Sequence, residues 1–503
     1  MIINFPQLES VLLREILSFL HPSETNQVWL VGGSIRDLIK GKNTKIYDLD
    51  LVTSFNPIEK CKKFANETKS GFVILDDERN IVRIVYETKN NDFYTFDVSQ
   101  FKADNIDNDL LCRDFTINAI ASPLFDEGRK LLENNKLLLY DPLDGITDLK
   151  KNHIKVCSSE SFKSDPLRIM RAFRFCSAYK AEITAEMKTL FKISQSLLVN
   201  ISGERIRDEL FKVLATNNSA KYIKEMADMK ILDVIFPELE KCRNISQNAW
   251  HHLDVFDHTI LTYENFEKLL NMAPPHFWWN KFLKYLHEEI SQGRTYLQSL
   301  KLGCLLHDLG KIPCRIVDKE TGKIIFHGHE MQGSKISKEI AARLRLSSAE
   351  SLFQQKLVKN HMRPGVILQQ GISNKRLFRY YSECGIDGTG IALLSLADRL
   401  AALGNFNEDE IIEFTAGIYQ IMSEYFIQQS KPLTKELLRG DDLISMGAKP
   451  GPLFKTILEA VKEAQYTGEI KTKEEAVQLA REFIFQNSKK KTDIEPPSTP
   501  VHD

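Results

Sequence analysis

Up to about residue 150 the chain alternates two kinds of hydrophobic pattern. The runs VWLVGG (28–33), YDLDLVT (47–53), GFVILD (71–76), NIVRIVYE (80–87) and FYTFDVSQF (93–101) are short, β-rich and bounded by Gly, Asn and Asp. Such runs predict strands. Between them SIRDLIKG (34–41) and PIEKCKKFANET (57–68) carry helical spacing, and MIINFPQLESVLLREIL (1–17) predicts an amphipathic N-terminal helix. Beyond residue 150 the strand signals fade. DPLRIMRAFRFCSAY (165–179), ERIRDELFKVLA (204–215), TYLQSLKLGCLLHDLGK (295–311) and TGIALLSLADRLAAL (389–403) place apolar residues at i, i+3, i+4 and i+7. ELLRGDDLISMG (436–447) and TKEEAVQLAREFIF (472–485) continue the helical pattern, and the polar, Pro-rich QNSKKKTDIEPPSTPVHD (486–503) predicts a disordered end. No repeat of 20–50 residues is visible. The fold class expected is an α+β head, a small mixed β-sheet flanked by helices, followed by a long all-α body.

Length and composition narrow this picture. A chain of 503 residues exceeds one ordinary core, so three or four domains are expected. Lys plus Arg (67) nearly equals Asp plus Glu (68), so any nucleic-acid-binding surface must be local. The eight cysteines are scattered without a CxxC pair, which argues for a reducing compartment and against a disulfide framework or a cysteine zinc site. The acidic N-terminal segment does not read as a signal or transit peptide, and no window of about 18 uncharged apolar residues offers a membrane span. A soluble, cytoplasmic protein with no membrane partner is expected.

Three segments of the head carry candidate chemistry. In LVGGSIRD a strand enters Gly32, Gly33 and Ser34 and a helix follows. Paired glycines let main-chain N–H groups approach a phosphate, and a helix N-terminus favours an anion; an ordinary strand-to-helix turn explains a lone GGS equally. Next come Asp48 and Asp50. On a strand they project to one face together with Ile46. Two close carboxylates repel unless a divalent cation joins them, and oxygen ligands suit Mg2+ together with substrate phosphates. A solvated sheet edge is the alternative. In CRDFTINAIA (112–121), Arg113, Asp114 and Asn118 supply a cation, an acceptor and a mixed donor and acceptor suited to a triphosphate and ribose.

Taken in order, GGSIRD, DLDLVT and RDFTINAIA resemble the head of class II tRNA nucleotidyltransferases, the CCA-adding enzyme and poly(A) polymerase family of the polymerase-β-like superfamily. DPLDGITDLK (141–150) resembles the family's hinge between head and neck, DPLRIMRAFRF (165–175) its base-reading segment, ISGERIRDEL (201–210) its neck helix, and residues 440–470 its C-terminal RNA-binding region. The resemblance implies addition of CCA to the 3′ end of tRNA from CTP and ATP by two-metal nucleotidyl transfer. It implies that Asp48 and Asp50 bind Mg2+, and that Gly32, Gly33, Ser34 and Arg36 cradle the triphosphate. Arg113, Asp114 and Asn118 would fix ribose and phosphates. Asp165 and Arg168, with Arg171, would serve the base, and Asp97 occupies the place of a third carboxylate. Departures are Ser164 where the family often has Glu, and Cys112 where it usually has a second Arg. The interval KADNIDNDLL (102–111) is short, as in enzymes that add only CC. From 150 to 212 there are 13 Lys and Arg against 7 Asp and Glu, a local excess suited to following an acceptor stem by its phosphates, or equally a solvated helical face.

In the middle of the chain CLLHDLGK holds His307 and Asp308, with His258, His327, His329, His361 and Asp398 around it in sequence. The order His258, His307-Asp308, Asp398 resembles HD-superfamily phosphohydrolases. Mixed imidazole and carboxylate ligands favour a transition-series divalent ion, whose bound water attacks a phosphoester; the resemblance implies phosphatase or cyclic phosphodiesterase activity. His329 and His361 are candidates for a second metal or a phosphate. The domains expected are a nucleotidyltransferase head (1–150), a helical neck (151–245), an HD domain (246–425), a helical tRNA-binding tail (426–487) and a disordered end (488–503), in a monomer or homodimer. Two alternatives stand beside this expectation: an HD phosphohydrolase with a catalytically silent, RNA-binding head, and a poly(A) polymerase.

Overall fold

The computed structural model describes residues 1–41, 47–247, 253–272, 274–402, 408–430 and 436–492, the last seven by backbone alone. Ile46 lies outside them. The chain forms two compact units, Met1–Ile235 and Phe236–Asp503. The boundary falls inside the segment expected to be the neck.

In the first unit the strands are β1 (Ile2–Asn4), β2 (Val28–Val31), β3 (Asp48–Thr53), β4 (Gly71–Asp76), β5 (Ile81–Glu87), β6 (Phe93–Gln100), β7 (Ala121–Pro123) and β8 (Lys136–Leu138). Six of them make one sheet in the order β4-β5-β6-β3-β2-β7. Only the β3–β6 pair is parallel, so the sheet is mixed, as expected. One face is covered by α1 (Gln7–Leu20) and α3 (Ile58–Thr68), whose Leu13, Leu17 and Phe64 pack with Leu49, Ile84 and Phe96 in a closed core. Strand alternation sends Asp48, Asp50, Arg83 and Asp97 to the other face. There the short helix α2 (Gly33–Ile39) leaves β2, and α4 (Ile106–Leu111) buries Ile106 and Leu110 against Val31 and Val52. The helices α5 (Gly145–Lys151), α6 (Leu167–Tyr179) and α7 (Gly203–Leu214) follow. The N-terminus departs from expectation. Ile2–Asn4 pair with Lys136–Leu138, and the helix begins only at Gln7 because Pro6 stands at its N-cap in extended conformation.

The second unit is helical, with α8 (Val255–Met272), α9 (Tyr296–Leu306), α10 (His329–Arg343), α11 (Ser348–Asn360), α12 (Asp387–Ala401) and α13 (Glu408–Gln429). Two small ribbons, Glu289–Ser291 with Arg294–Thr295 and Ile316–Val317 with Ile324–Ile325, interrupt the expected all-α pattern; strands of two or three residues leave no periodicity to read. A separate apolar cluster, including Leu443, Ile457, Val461, Ala476 and Ala480, holds the C-terminal helices together. The last helix runs from Lys473 to Thr492, so residues 488–492 of the expected disordered end are helical and 493–503 lie outside the described residues. Among the described residues no helix is long and apolar enough to cross a membrane.

Candidate nucleotide site and metal centre

In the first unit Gly32 and Asp50 are fitted to each other. Gly32 has φ +84°, and a Cβ there would stand 2.6 Å from Asp50 Oδ2, so both backbone and space demand glycine. The Gly33 main-chain N–H also reaches the Asp50 carboxylate. Burial, then the neighbouring Asp97 and Asp48, push the Asp50 carboxyl above its ordinary range, with Arg113 and Gly33 opposing. A cation would relieve that repulsion. Ser34 Oγ is buried beside this loop and has no hydrogen-bond partner among the described residues. Oxygen donors alone suit Mg2+. Asp97 is the β6 register partner of Asp50, yet both of its oxygens are gripped by Arg83 on β5, from Nε and Nη2 at 2.7 Å each.

A second set of predicted residues forms one network. Arg36 Nη1 donates to Asn118 Oδ1 at 2.6 Å, and Asn118 Nδ2 donates to Asp114 Oδ1 at 3.0 Å. Arg171 on α6 donates from Nε and Nη2 to Asp114 Oδ2. Burial alone would raise the Asp114 carboxyl; Arg171, Asn118 and the Phe115 N–H prevail and hold it below the usual range. Arg36, Arg171 and Arg174 gather around the Phe175 ring at 5.2, 5.8 and 4.3 Å. Phe175 escapes sequence reasoning because a buried aromatic at helical spacing reads as core. Arg113 stands apart from this set, paired with buried Asp109 at 3.1 Å.

Asp165 and Arg168 are engaged elsewhere. Asp165 Oδ2 accepts from Arg205 Nη2 at 3.1 Å and Oδ1 from the Leu167 N–H at 3.2 Å. Arg168 donates to the main-chain oxygens of Arg113 (3.1 Å) and Cys112 (2.7 Å) and to Ser161 Oγ (2.9 Å). The Cys112 position therefore contributes a carbonyl here, while its side chain is exposed. The interval 102–111 holds the helix α4, capped by Asn105, whose side chain accepts from the Asn108 N–H. The basic residues of 150–212 divide into a paired set and an exposed set. Arg171, Arg174, Arg205, Arg207 and Lys212 all pair with carboxylates, whereas Lys150, Lys151, Lys155, Lys180, Lys188 and Lys192 stay exposed.

In the second unit the His and Asp residues converge. The HD doublet is not inside a helix: α9 ends at Leu306, His307 is its C-cap, and a short turn follows. Gly310 in that turn lies so close to α10 that a Cβ would meet the His329 carbonyl at 1.9 Å. His307, His329 and His361 each direct Nδ1 to a main-chain oxygen three residues back, at 2.9, 3.0 and 2.7 Å. Those bonds leave Nε2 as the free ligand atom. His258 Nε2 lies 2.8 Å from Asp398 Oδ1 and 3.5 Å from Asp308 Oδ2, and His307 Nε2 lies 3.2 Å from Asp308 Oδ2. His329 and His361 face each other, Nε2 to Nε2, at 3.3 Å. Ligands about 2.0–2.1 Å from a tetrahedral ion stand roughly 3.3 Å apart, so these separations fit cation coordination.

Two candidate groups result, His258, His307, Asp308 and Asp398, and Asp308, His329 and His361, with Asp308 in both. Among the described residues buried His307 Nε2 has no hydrogen-bond partner, which leaves it available to a cation. Burial disfavours charge on His307, His361, Asp308 and Asp398. Against it, Asp308 and Asp398 raise His307 to about 10, while burial and the neighbouring histidines lower His361 to about 4. Asp308 and Asp398 sit well below the ordinary range despite burial, held there by Lys311 and His307 and by His258 and His307 respectively. Lys311 Nζ lies 2.7 Å from both Asp308 Oδ2 and Gln247 Oε1; its i+3 spacing from Asp308 was the available sequence signal. A cavity of about 1260 Å³ opens here, lined by Lys311, Phe326, His329, Asp398, Arg399 and Phe414 among others. His327 is exposed at its rim and belongs to neither group.

Comparison with known proteins places three families along the chain. Residues 28–155 match the Poly A polymerase head domain, 182–242 the probable RNA and SrmB-binding site of polymerase A, and 255–403 the HD domain. An A-adding tRNA nucleotidyltransferase of Deinococcus radiodurans is 29% identical over 456 residues, covering 89% of this chain and 93% of that one. A CC-adding tRNA nucleotidyltransferase of Geobacter sulfurreducens is 26% identical over 450 residues, covering 89% and 90%. The solved structure of a Thermotoga maritima CCA-adding enzyme complexed with tRNA aligns with TM-score 0.62 at 20% identity, over 96% of this chain and 99% of that one, and so shares the fold.

Proposed function

Because the chain belongs to the class II tRNA nucleotidyltransferases of the CCA-adding and poly(A) polymerase family, with an HD domain, we propose that it extends the 3′ end of tRNA with nucleotides from CTP or ATP. The observation that carries this is the placement of Asp48 and Asp50 on one sheet face, with Asp50 against the Gly32–Gly33 loop. The 3′-hydroxyl oxygen bonds to the α-phosphorus and diphosphate leaves. Asp48 and Asp50 would hold a divalent metal, which would supply charge stabilisation to the transferring phosphate. The Gly33 N–H fixes Asp50. Ser34 and Arg36 take the triphosphate, Arg113 adds a cation, and Asn118 and Asp114, anchored by Arg171, take the ribose. Asp165 and Arg168 read the base after exchanging their present partners, Arg205 and the Cys112 and Arg113 carbonyls. The exposed lysines of 150–192 follow the acceptor stem.

The enzyme performs part of CCA synthesis. The capped helix in the short 102–111 interval favours CC addition, and of the relatives named above, aligned over about nine tenths of this chain and of their own, one is named for adding A and the other for adding CC. A tRNA ending at the discriminator base and one ending in CC, each offered CTP or ATP, test this. Two added cytidines mark a CC-adding enzyme, and one adenosine on the CC substrate an A-adding one. A completed CCA end from the first substrate contradicts the single-step assignment.

We also infer phosphoester hydrolysis at the second centre. Its support is the convergence of buried Nε2 and carboxylate atoms on a cavity large enough for a nucleotide end. His258, His307, Asp308 and Asp398 would hold one transition-series ion and Asp308, His329 and His361 a second. Release of phosphate from nucleoside 2′- and 3′-phosphates and opening of 2′,3′-cyclic phosphates to monoesters, both lost in Asp308→Ala, are the expected outcome.

A further inference from the structure

The carboxylate face of the head contains a third acid that is not free. Across the sheet, one register row runs Val31, Asp50, Asp97, Arg83 and Val73, on β2, β3, β6, β5 and β4. Asp97 is thus the immediate neighbour of Asp50, placed by a parallel pair, and Arg83 is its neighbour on the other side. Arg83 meets Asp97 in a two-point grip, Nε to Oδ1 and Nη2 to Oδ2, both 2.7 Å. Both carboxylate oxygens face guanidinium hydrogens, the geometry that makes this kind of pair strong and directional. Arg83 is 46% exposed along its side chain and Asp97 28%, so the grip sits at the rim of the site. Neither residue packs in the core, and a substitution at Arg83 leaves the sheet's apolar face untouched.

We propose that Arg83 is a positioning residue that withholds Asp97 from the head's metal site, so that the site offers two carboxylates and fills only when a nucleotide brings phosphate oxygens with the cation. The inference rests on the nucleotidyl-transfer assignment of Asp48 and Asp50. Its chemistry follows from ligand count. Three clustered carboxylates hold a divalent ion without help, whereas Mg2+ on one or two carboxylates keeps several waters and relies on substrate phosphates. Engaging both Asp97 oxygens with a built-in guanidinium converts the first situation into the second. The metal site is then coupled to nucleotide arrival, and the row Asp50–Asp97–Arg83 is the device that couples them. No bond is made or broken by Arg83 in the transfer itself.

The test uses the full chain and Fe2+ as the probe, with hydroxyl-radical cleavage of the backbone mapped by peptide mass. Cleavage near residues 48–53 reports the head, and cleavage near 307–308 reports the second centre and serves as an internal reference. In the unaltered chain, cleavage at 48–53 is expected to need CTP or ATP. In Arg83→Gln it is expected without nucleotide, at an Fe2+ concentration about tenfold lower. Arg83→Lys keeps the charge but cannot hold both oxygens, and is expected to move the same way. Arg83→Gln combined with Asp97→Asn is expected to restore nucleotide dependence. An Arg83→Gln chain that needs as much iron as the unaltered one, or more, would overturn the proposal, since Arg83 would then be orienting Asp97 as a ligand. So would an Arg83→Lys chain that behaves as the unaltered one, because charge alone would explain the Gln variant. If the unaltered chain is not cleaved at 48–53 even with nucleotide, the metal assignment of Asp48 and Asp50 fails and takes this proposal with it. Nucleotide-dependent cleavage with unresponsive Arg83 variants removes the proposal alone.

Discussion

At the scale of single residues the carboxylate pair is the pivot. Asp48→Ala or Asp50→Ala is expected to lower nucleotide addition by at least about a thousandfold, some 4 kcal/mol of lost transition-state stabilisation, with the circular dichroism spectrum unchanged. Gly32→Ala is a subtler probe. Its new methyl would collide with Asp50 Oδ2 at 2.6 Å in a backbone conformation with φ +84°. A displacement of the carboxylate by less than 1 Å is expected to cost about a hundredfold in rate, read in the same addition assay. The pair and the glycine loop were legible in the sequence because they are local strings. Arg83 was not: nothing within a few residues of it marks a partner fourteen positions away on the next strand. Asp165 and Arg168 were legible as types, but their present contacts with Arg205 and with main-chain oxygens depend on how α6 meets α7 and the turn after α4, and sequence spacing carries none of that.

At the scale of elements, the Asp114–Arg171 pair ties the turn after α4 to helix α6. Asp114 is nearly buried and Arg171 about a third exposed. Asp114→Asn leaves that guanidinium without its counter-charge, and urea unfolding is expected to show a loss of roughly 2–4 kcal/mol. The sign of its pH dependence follows from the depressed carboxyl. The folded state binds this proton less readily than the unfolded chain, so the stabilisation is present above the ordinary carboxylate range. It is lost as pH falls through the lower, folded value. The difference in stability between the unaltered chain and Asp114→Asn should therefore shrink on acidification. Element types were read well where periodicity ran long, as in β3, β6, α6 and α12. They were read less well at ends. Pro6 delays the first helix, Leu306 closes α9 before the HD doublet, and the two short ribbons are too brief to leave a pattern. Helix ends are what matter at the second centre, because His307, His329 and His361 all stand at helix termini, where a main-chain oxygen fixes each Nδ1. The sequence supplied the ligand types; the orientation of each imidazole required the structure.

At the scale of the whole molecule, the two proposed chemistries lie in two compact units and should separate by mutation. Asp308 belongs to both candidate ligand groups, whereas His361 belongs to one. Asp308→Ala is expected to strip transition-series metal from the second unit, and His361→Ala to remove only part of it, read as bound metal per chain by mass spectrometry. Neither change should reduce nucleotide addition, while Asp48→Ala should leave phosphoester hydrolysis intact. The most direct measurement is extension of two tRNAs, one ending at the discriminator base and one ending in CC, with product length resolved to single nucleotides. The account predicts addition of one or two nucleotides, set by the end supplied, by the unaltered chain, and none by Asp48→Ala or Asp50→Ala. Addition that persists in those variants, a completed CCA end on the first tRNA, or a long adenosine tail would contradict it.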